Sequence, residues 1–238
     1  MRYVINPARQ LVVAIGAMVL VAASGVVSSA QSDAKRVSNE QGIGSVMKLP
    51  APKKTHGLSL EEAIERRRSV REFSDVALTD AEHGQLLWAA QGVTHRTMGL
   101  RAAPSAGALY PLEAYLVTGS GVFHYEPRAH QLRQTVSGDV RKALSDAALR
   151  QEAVRDAPAV VVLAGVYERT AKKYGARAER YVHMEAGHAA QNLLLQAVSL
   201  GLAAVPIGAF DNDEVQRALS LPKNHRPLYL LPVGHRAH

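Results

Sequence analysis

Apolar residues recur at helical spacing in several stretches of the chain, and recognisable boundary signals flank these stretches. Capping boxes begin two of the predicted helices, Ser59-Leu60-Glu61-Glu62 in the first and Thr79-Asp80-Ala81-Glu82 in the second. The longest helical pattern runs from 179 to 200, and Gly201 ends it. Shorter helical stretches are predicted within 138–155 and over 213–219.

Other stretches have the composition and the flanking turn residues of β-strands. The first three predicted strands are separated by short turns, which indicates consecutive hairpins. The continuous apolar run 159–166 predicts a strand buried on both faces. Hairpin strands combined with helices predict an α+β fold rather than alternating βαβ units. The other predicted strands cover 112–118, 122–125, 131–136, 203–207 and 228–233, and a loop is predicted over 92–111.

The first thirty residues have the pattern of a secretory signal peptide. Arg2 and Arg9 precede an apolar run over 11–27, and small residues at 28–30 match the positions that signal peptidase reads. Because the run is near the lower length limit for a bilayer span, a retained anchor facing outside is the alternative. The sequence therefore predicts an exported protein, periplasmic or secreted. Residues 31–57 are interpreted as an N-terminal arm or linker, and 58–238 as one domain.

Composition narrows the chemistry that this chain can perform. It contains no cysteine, which excludes disulfides and thiolate catalysis. The formal charge of +7 falls to +5 when Arg2 and Arg9 leave with the signal peptide, and this excess favours an anionic ligand or surface. Aromatic residues make up only 5% and do not alternate with basic ones, so nucleic acid is not the expected partner.

An arginine run, Arg66–Arg71, places four arginines and Ser69 within six positions. The planar guanidinium group presents a fork of donors that matches phosphate or carboxylate. Taken by itself, the run is equally compatible with the solvated basic end of a helix.

A small-residue loop, Pro104–Gly107, is the second candidate site, because small side chains let the backbone approach a ligand closely. Ser105 resembles the serine of a nucleophile elbow, which would make the protein a serine hydrolase. That interpretation is the least favoured, because Ala103 stands where the motif has its first glycine and no predicted strand leads into the loop.

Two further groups of polar residues are candidates for catalysis or metal binding. Lys173 and Tyr174 can supply general acid or base catalysis, and a surface turn is the alternative. Glu185 and His188 have the spacing of a carboxylate-bridged di-iron motif, but the second such pair that this site requires is missing. No metal site is predicted, and a polar spot on a core helix is preferred.

Four motifs follow one another along the chain, Arg67–Phe73, Pro104–Pro111, Val205–Phe210 and Pro232–Arg236. In this order they resemble the FMN-dependent nitroreductase superfamily. Within it, the chain resembles the SagB/ThcOx-type dehydrogenase branch through the stretches Ser105–Glu113, Lys173–Gly175 and Glu185–Asn192.

The resemblance implies a central mixed, largely antiparallel sheet flanked by helices, in an intertwined homodimer with FMN at the subunit interface. It implies ping-pong hydride transfer through flavin N5 and a small-molecule substrate. The alternatives are an NAD(P)H-dependent nitro or quinone reductase and a flavin-binding protein without turnover. Many members carry Asn where Ala108 stands and Gln where Tyr110 stands, so generic nitroreductase activity is less expected here.

By position, the resemblance also implies a role for individual residues. Arg67, Arg68, Ser69 and Arg71 would hold the phosphate and ribityl chain, with Gly234 and Arg236 near the phosphate. Pro104, Ser105, Ala106 and Gly107 would line the isoalloxazine from the other subunit, and Pro206, Ile207 and Gly208 would lie against the ring. Lys173 and Tyr174 would be catalytic.

Overall fold

The computed structural model describes residues 44–55 and 57–237, so the predicted signal peptide lies outside the described residues. No helix in this range is long and apolar enough to cross a membrane. The strands are β1 (Val46–Lys48), β2 (Val93–His95), β3 (Leu100–Arg101), β4 (Leu112–Thr118), β5 (Gly121–Glu126), β6 (Gln131–Ser137), β7 (Ala159–Gly165), β8 (Leu202–Ala204) and β9 (Arg226–His235). The α-helices are α1 (Leu60–Arg66), α2 (Asp80–Gln91), α3 (Arg141–Ala147), α4 (Glu152–Asp156), α5 (Tyr167–Tyr174), α6 (Ala178–Ser199) and α7 (Asn212–Ala218).

A seven-stranded sheet forms the centre of the domain, in the order β1-β6-β5-β4-β7-β9-β8. Every neighbouring pair of strands is antiparallel. β7 lies inside the sheet and is buried throughout, which explains its uniformly apolar sequence, because a strand covered on both faces has no polar side. The predicted α+β fold, with a largely antiparallel sheet flanked by helices, is confirmed.

The two faces of the sheet carry separate hydrophobic cores. Along β4, Leu112, Ala114 and Leu116 pack on one face with α2 and α6. Tyr115 and Val117 point to the opposite face, which α3, α4 and α7 cover. This alternation follows from the two-residue period of a strand and produces three layers, helix, sheet and helix.

Both predicted capping boxes are confirmed. At the start of α1, the Glu62 backbone N–H donates to the Ser59 hydroxyl at 3.1 Å, and the Ser59 N–H donates to the Glu62 carboxylate at 3.0 Å. Thr79 and Glu82 make the equivalent pair of bonds at the start of α2. α1 then ends at Arg66, because Arg67 has extended backbone angles. Most of the arginine run therefore follows the helix rather than belonging to it.

The structure departs from the sequence-based expectations in the arm and in the segment 92–111. Residues 46–48 of the arm form β1 and pair with β6. The Gln85 side chain bonds to the backbone N–H and C=O of Lys53, at 2.8 Å and 3.0 Å, and so ties the arm to α2. Within the predicted loop, β2 and β3 pair with each other. Strands this short leave no hydrophobic period, so a periodicity argument does not detect them.

Two other predicted boundaries change for local reasons. β8 stops at Ala204, short of the predicted end at 207, because Pro206 has no N–H to continue a ladder. Pairing resumes at Ile207, which exchanges backbone bonds of 2.8 Å and 3.0 Å with Leu230. Lys173 and Tyr174 do not lie in a surface turn, the alternative expected for them, since both belong to the last turn of α5.

Gly234 allows the chain after α1 to lie against β9. A Cβ atom at this position would stand 2.6 Å from Pro158 Cδ and 3.1 Å from Phe73 Cδ1. Such contacts are too close, so any larger residue must push one of these rings away.

We predict that Gly234→Ala lowers the free energy of unfolding by about 1–3 kcal/mol, through overpacking against Pro158 and Phe73. Chemical denaturation measures the change. Gly119→Ala is the control, because its Cβ would have no neighbour closer than 3.4 Å. Equal stability of the two variants would contradict the steric role of Gly234.

Candidate cofactor site and active site

Backbone bonds hold the chain after α1 along the edge formed by β8 and β9. The Val70 N–H donates to the Ala204 carbonyl at 3.1 Å, and Ser69 forms a bridge with the same residue. Farther on, Phe73 forms a bridge with Arg236. The structure thus brings together three of the predicted motifs, the arginine run, the segment leading to Gly208 and the end of β9.

The arginines of this region divide into engaged and unengaged groups. Arg66 forms an exposed ion pair with Glu62 at 3.0 Å, and Arg68 donates to the carbonyls of Glu65 and Arg67, both at 2.8 Å. Among the described residues, the guanidinium groups of Arg67, Arg71 and Arg236 make no ion pair or side-chain hydrogen bond. The exposed Ser69 hydroxyl lies in the same stretch and likewise makes no described bond.

This donor set fits a phosphate group. Uncompensated guanidinium groups repel one another, and an anion between them removes the repulsion and accepts charge-assisted hydrogen bonds. A hydroxyl adds a further donor. Gly234, although in the same motif, is buried under Phe73 and Pro158, so it supports the neighbouring backbone rather than facing an open space.

The small-residue loop forms a second group with the predicted catalytic pair. A Cβ at Gly107 would lie 2.9 Å from the Tyr174 hydroxyl oxygen and 3.0 Å from Lys173 Nζ, so both functional groups converge on this glycine. Gly107, Ala108 and Tyr110 have φ angles of 64°, 53° and 48°, in the left-handed region. Strained backbone of this kind concentrates at functional sites.

Hydrogen bonds hold the loop in this conformation. The Tyr110 N–H donates to Ser105 Oγ at 2.9 Å, and the Tyr110 hydroxyl accepts from the Arg101 N–H at 3.1 Å. Arg169 Nη1 donates to the Tyr110 carbonyl at 3.0 Å. No histidine hydrogen-bonds to Ser105 among the described residues, so the serine–histidine pair of a serine hydrolase is not formed there.

Arg169 also connects the loop to a buried carboxylate. Its other nitrogen, Nη2, forms an ion pair with Glu113, whose second oxygen lies 2.7 Å from His124 Nε2. Burial raises the pKa of Glu113, but the hydrogen bond from His124 and the charge of Arg169 outweigh it and hold the pKa at about 2. Glu113 is therefore ionised and fixes Arg169 against the loop.

Glu185 lies in the middle of α6, and its pKa is shifted in the opposite direction from that of Glu113. It is 2% exposed, and burial raises its pKa to about 7 against the smaller, opposing effects of Ser105 and Arg101. His188, paired with it in the metal motif considered above, is exposed. In the described ranges, no group of three or more His, Asp or Glu is arranged to hold a metal ion.

Sequence reasoning missed Arg101 and Arg169. Both act through contacts made only in the folded chain, and no motif or spacing marks either one. In addition, no described hydrogen bond or ion pair joins the small-residue loop to the arginine run. One chain therefore carries a group of unengaged arginines and a separate strained loop.

Comparison with known proteins identifies the family. The sequence profile of the Nitroreductase family matches residues 64–235. This chain belongs to the nitroreductase family. Family membership makes it an oxidoreductase, as the motifs predicted. The matched range includes every predicted site residue except Arg236.

Similar proteins span nearly the whole domain. A candidate nitroreductase from Methanocaldococcus jannaschii is 42% identical over 200 residues, which cover 82% of this chain and 99% of that protein. The crystal structure of a candidate nitroreductase from Ralstonia eutropha superposes with a TM-score of 0.74 at 28% identity, covering 81% of this chain and 90% of that one. The NADPH:FMN oxidoreductase from Vibrio harveyi, complexed with NAD+, gives 0.56 at 26% identity, covering 75% and 69%.

Proposed function

We propose that the protein is an FMN-dependent oxidoreductase whose arginine run holds the flavin phosphate. The observation that carries this proposal is the set of unengaged guanidinium groups, Arg67, Arg71 and Arg236, on backbone that pairs with β8 and β9. A phosphate monoester carries about −1.5 to −2 charges at neutral pH, which matches such a set. The resemblance to the Vibrio harveyi protein, whose name includes FMN, supports the same cofactor.

In this proposal the rest of the chain positions the flavin ring. Pro206, Ile207 and Gly208 lie beyond β8, where the two bonds between Ile207 and Leu230 hold the backbone. No atom comes within 4 Å of the position of a Gly208 Cβ, which leaves room for a planar ring near the backbone. When bound, the flavin supplies hydride acceptance and donation at N5, so donor and acceptor substrates would use the site in turn.

We predict that Arg67→Ala combined with Arg71→Ala weakens FMN binding by roughly 100-fold or more, because two charge-assisted hydrogen bonds are lost. Flavin absorbance of the purified protein and titration of the apoprotein measure the change. Arg66→Ala is the matched control, since Arg66 pairs with Glu62 and should leave occupancy unchanged. If the double variant retains its flavin and remains folded, the arginine run is not the phosphate site.

We further propose a homodimer in which each site combines the arginine run of one subunit with the small-residue loop of the other. The absence of a described hydrogen bond or ion pair between these two groups supports this division. Large apolar side chains are also exposed on the same chain, Leu60 and Ile64 on α1 at 61% and 55%, and Met184 on α6 at 53%. Leu60 and Ile64 are four residues apart and share a helix face, as a buried contact requires.

Mixed dimers test this shared site. One chain would carry Arg67→Ala and Arg71→Ala, and the other Gly107→Leu, which places a side chain against Lys173 and Tyr174 on strained backbone. Neither variant should bind FMN alone. A mixed dimer contains one intact site of two, so it should recover about half of the wild-type flavin content. No recovery in a mixed dimer of verified composition would place both groups in a single-chain site.

We also propose that the enzyme is an exported dehydrogenase of the SagB type. The convergence of Lys173 Nζ and the Tyr174 hydroxyl on Gly107 supports a proton-transfer role for this pair beside the ring-lining loop. The predicted signal peptide would place the protein where NAD(P)H is scarce, so a substrate would supply the electrons and oxygen or a quinone would accept them. The name of the Vibrio harveyi relative favours the alternative, an NAD(P)H-dependent reductase. A flavin-binding protein without turnover is the third candidate.

Anaerobic reduction of the holoprotein distinguishes these candidates. We expect protein recovered from the exported fraction to begin at Gln31 and its flavin to be bleached by azoline-containing peptides or other dehydrogenation substrates. Tyr174→Phe should slow this step by roughly 10²–10⁴-fold without loss of flavin, since it removes a proton-transfer group. Rapid bleaching by NADPH alone would instead support the reductase, and no bleaching by any donor would support the binding protein.

A further inference from the structure

We propose that Glu185 is a positioning residue whose protonation state decides whether the Ser105 hydroxyl donates inward to the protein or outward to the ligand on the small-residue loop. The inference rests on the proposed function, because the ligand addressed is a hydrogen-bond acceptor atom of the bound flavin. Glu185 itself need not touch that ligand. It acts through Ser105.

The first observation is that Glu185 is buried with an unsatisfied oxygen. Its residue is 2% exposed, and Oε1 has no hydrogen-bond partner among the described residues. Buried polar atoms are nearly always hydrogen-bonded, and an ionised carboxylate without full solvation is costly. The carboxyl group must therefore be protonated or accept a hydrogen bond from a neighbouring donor.

The second observation is that Ser105 is the neighbouring donor, since a side-chain hydrogen bond with Ser105 lowers the pKa of Glu185 against the larger effect of burial. Ser105 Oγ also accepts the Tyr110 N–H at 2.9 Å, so its own proton is still available for donation. An ionised Glu185 draws that proton inward. A protonated Glu185 donates its own O–H to the second lone pair of Oγ, and the Ser105 proton then turns outward.

The surrounding charges allow Glu185 to change state near neutral pH. Arg101 is the charged group that acts on it directly, and burial outweighs Arg101 and Ser105, which raises the pKa of Glu185 to about 7. The charges of Glu113, Arg169 and Tyr110 act on the pKa of Arg101, and so they affect Glu185 only indirectly. On the other side of the loop, Lys173 and Tyr174 face Gly107.

The loop is held firmly enough to transmit a change at Ser105. Arg169 fixes the Tyr110 carbonyl, Arg101 fixes the Tyr110 hydroxyl, and the backbone between Gly107 and Tyr110 is in the left-handed region at three positions. Turning the Ser105 O–H from Glu185 toward the ligand therefore adds one hydrogen-bond donor for the ligand and leaves the path of the backbone unchanged.

The test is the pH dependence of FMN affinity, measured by fluorescence titration of the apoprotein between about pH 5.5 and 8.5, on either side of the expected transition. Wild-type affinity should fall roughly 10-fold as pH rises through this range, since one hydrogen bond to the ligand is withdrawn. Glu185→Gln should bind tightly at all pH values, because the amide N–H₂ replaces the carboxyl O–H as donor to Ser105. Ser105→Ala should bind weakly at all pH values.

Glu179→Gln is the matched control on the same helix, because Glu179 is exposed and its replacement should leave the wild-type profile unchanged. The FMN phosphate also titrates, with a pKa near 6, so each affinity is divided by that of Ser105→Ala, which carries the phosphate contribution alone. A Glu185→Gln variant that keeps the wild-type fall in this ratio overturns the inference, and so does a wild-type ratio that does not fall with pH. If Glu185→Gln fails to fold, the wild-type ratio decides.

A measurement without ligand separates this inference from the proposed function. The infrared C=O stretch of a buried carboxylic acid should be present in the apoprotein at mildly acidic pH, lost in Glu185→Gln and retained in Glu179→Gln. Its absence from the wild type overturns the inference. If no variant binds FMN at any pH, the proposed function fails, and the band alone then reports whether Glu185 holds a proton.

Discussion

The candidate site depends on backbone pairing between the chain after α1 and the outer strands of the sheet. Ser69 and Val70 pair with Ala204, and Phe73 pairs with Arg236, while Gly234 leaves the space that Phe73 occupies. These bonds hold the backbone that carries Arg67, Arg71 and Arg236 along one edge of the sheet. In an isolated peptide the same residues would separate in solvent, so their alignment is a product of the sheet edge.

The second half of the site depends on electrostatics rather than on strand pairing. Glu113, kept ionised by Arg169 and His124, fixes the arginine that holds the Tyr110 carbonyl. Glu185, on α6, is pushed toward its neutral form by burial. One carboxyl group is thus held ionised, and the other has a raised pKa. Pairs of titratable groups whose environments separate their pKa values are a common property of active sites.

The sequence predicted the elements that are long or that carry a strong local signal. The capping boxes at Ser59 and Thr79, the buried run that forms β7 and the helix that ends at Gly201 all have such signals, and all are present. β1, β2 and β3 contain only two or three residues each and leave no period. Tyr167, Ala171 and Tyr174 recur at helical spacing in α5, but a pattern over eight mostly polar residues is too short to predict a helix.

By itself, the sequence determined the family, the α+β class and the order of the motifs, because these are written in local composition and spacing. Only the tertiary structure decided which arginines are unengaged, since Arg66 and Arg68 differ from Arg67 and Arg71 only in the partners that folding gives them. It also placed Lys173 and Tyr174 against Gly107, far away in sequence. Burial and through-space charge set the protonation of Glu185, and neither quantity exists until the chain has folded.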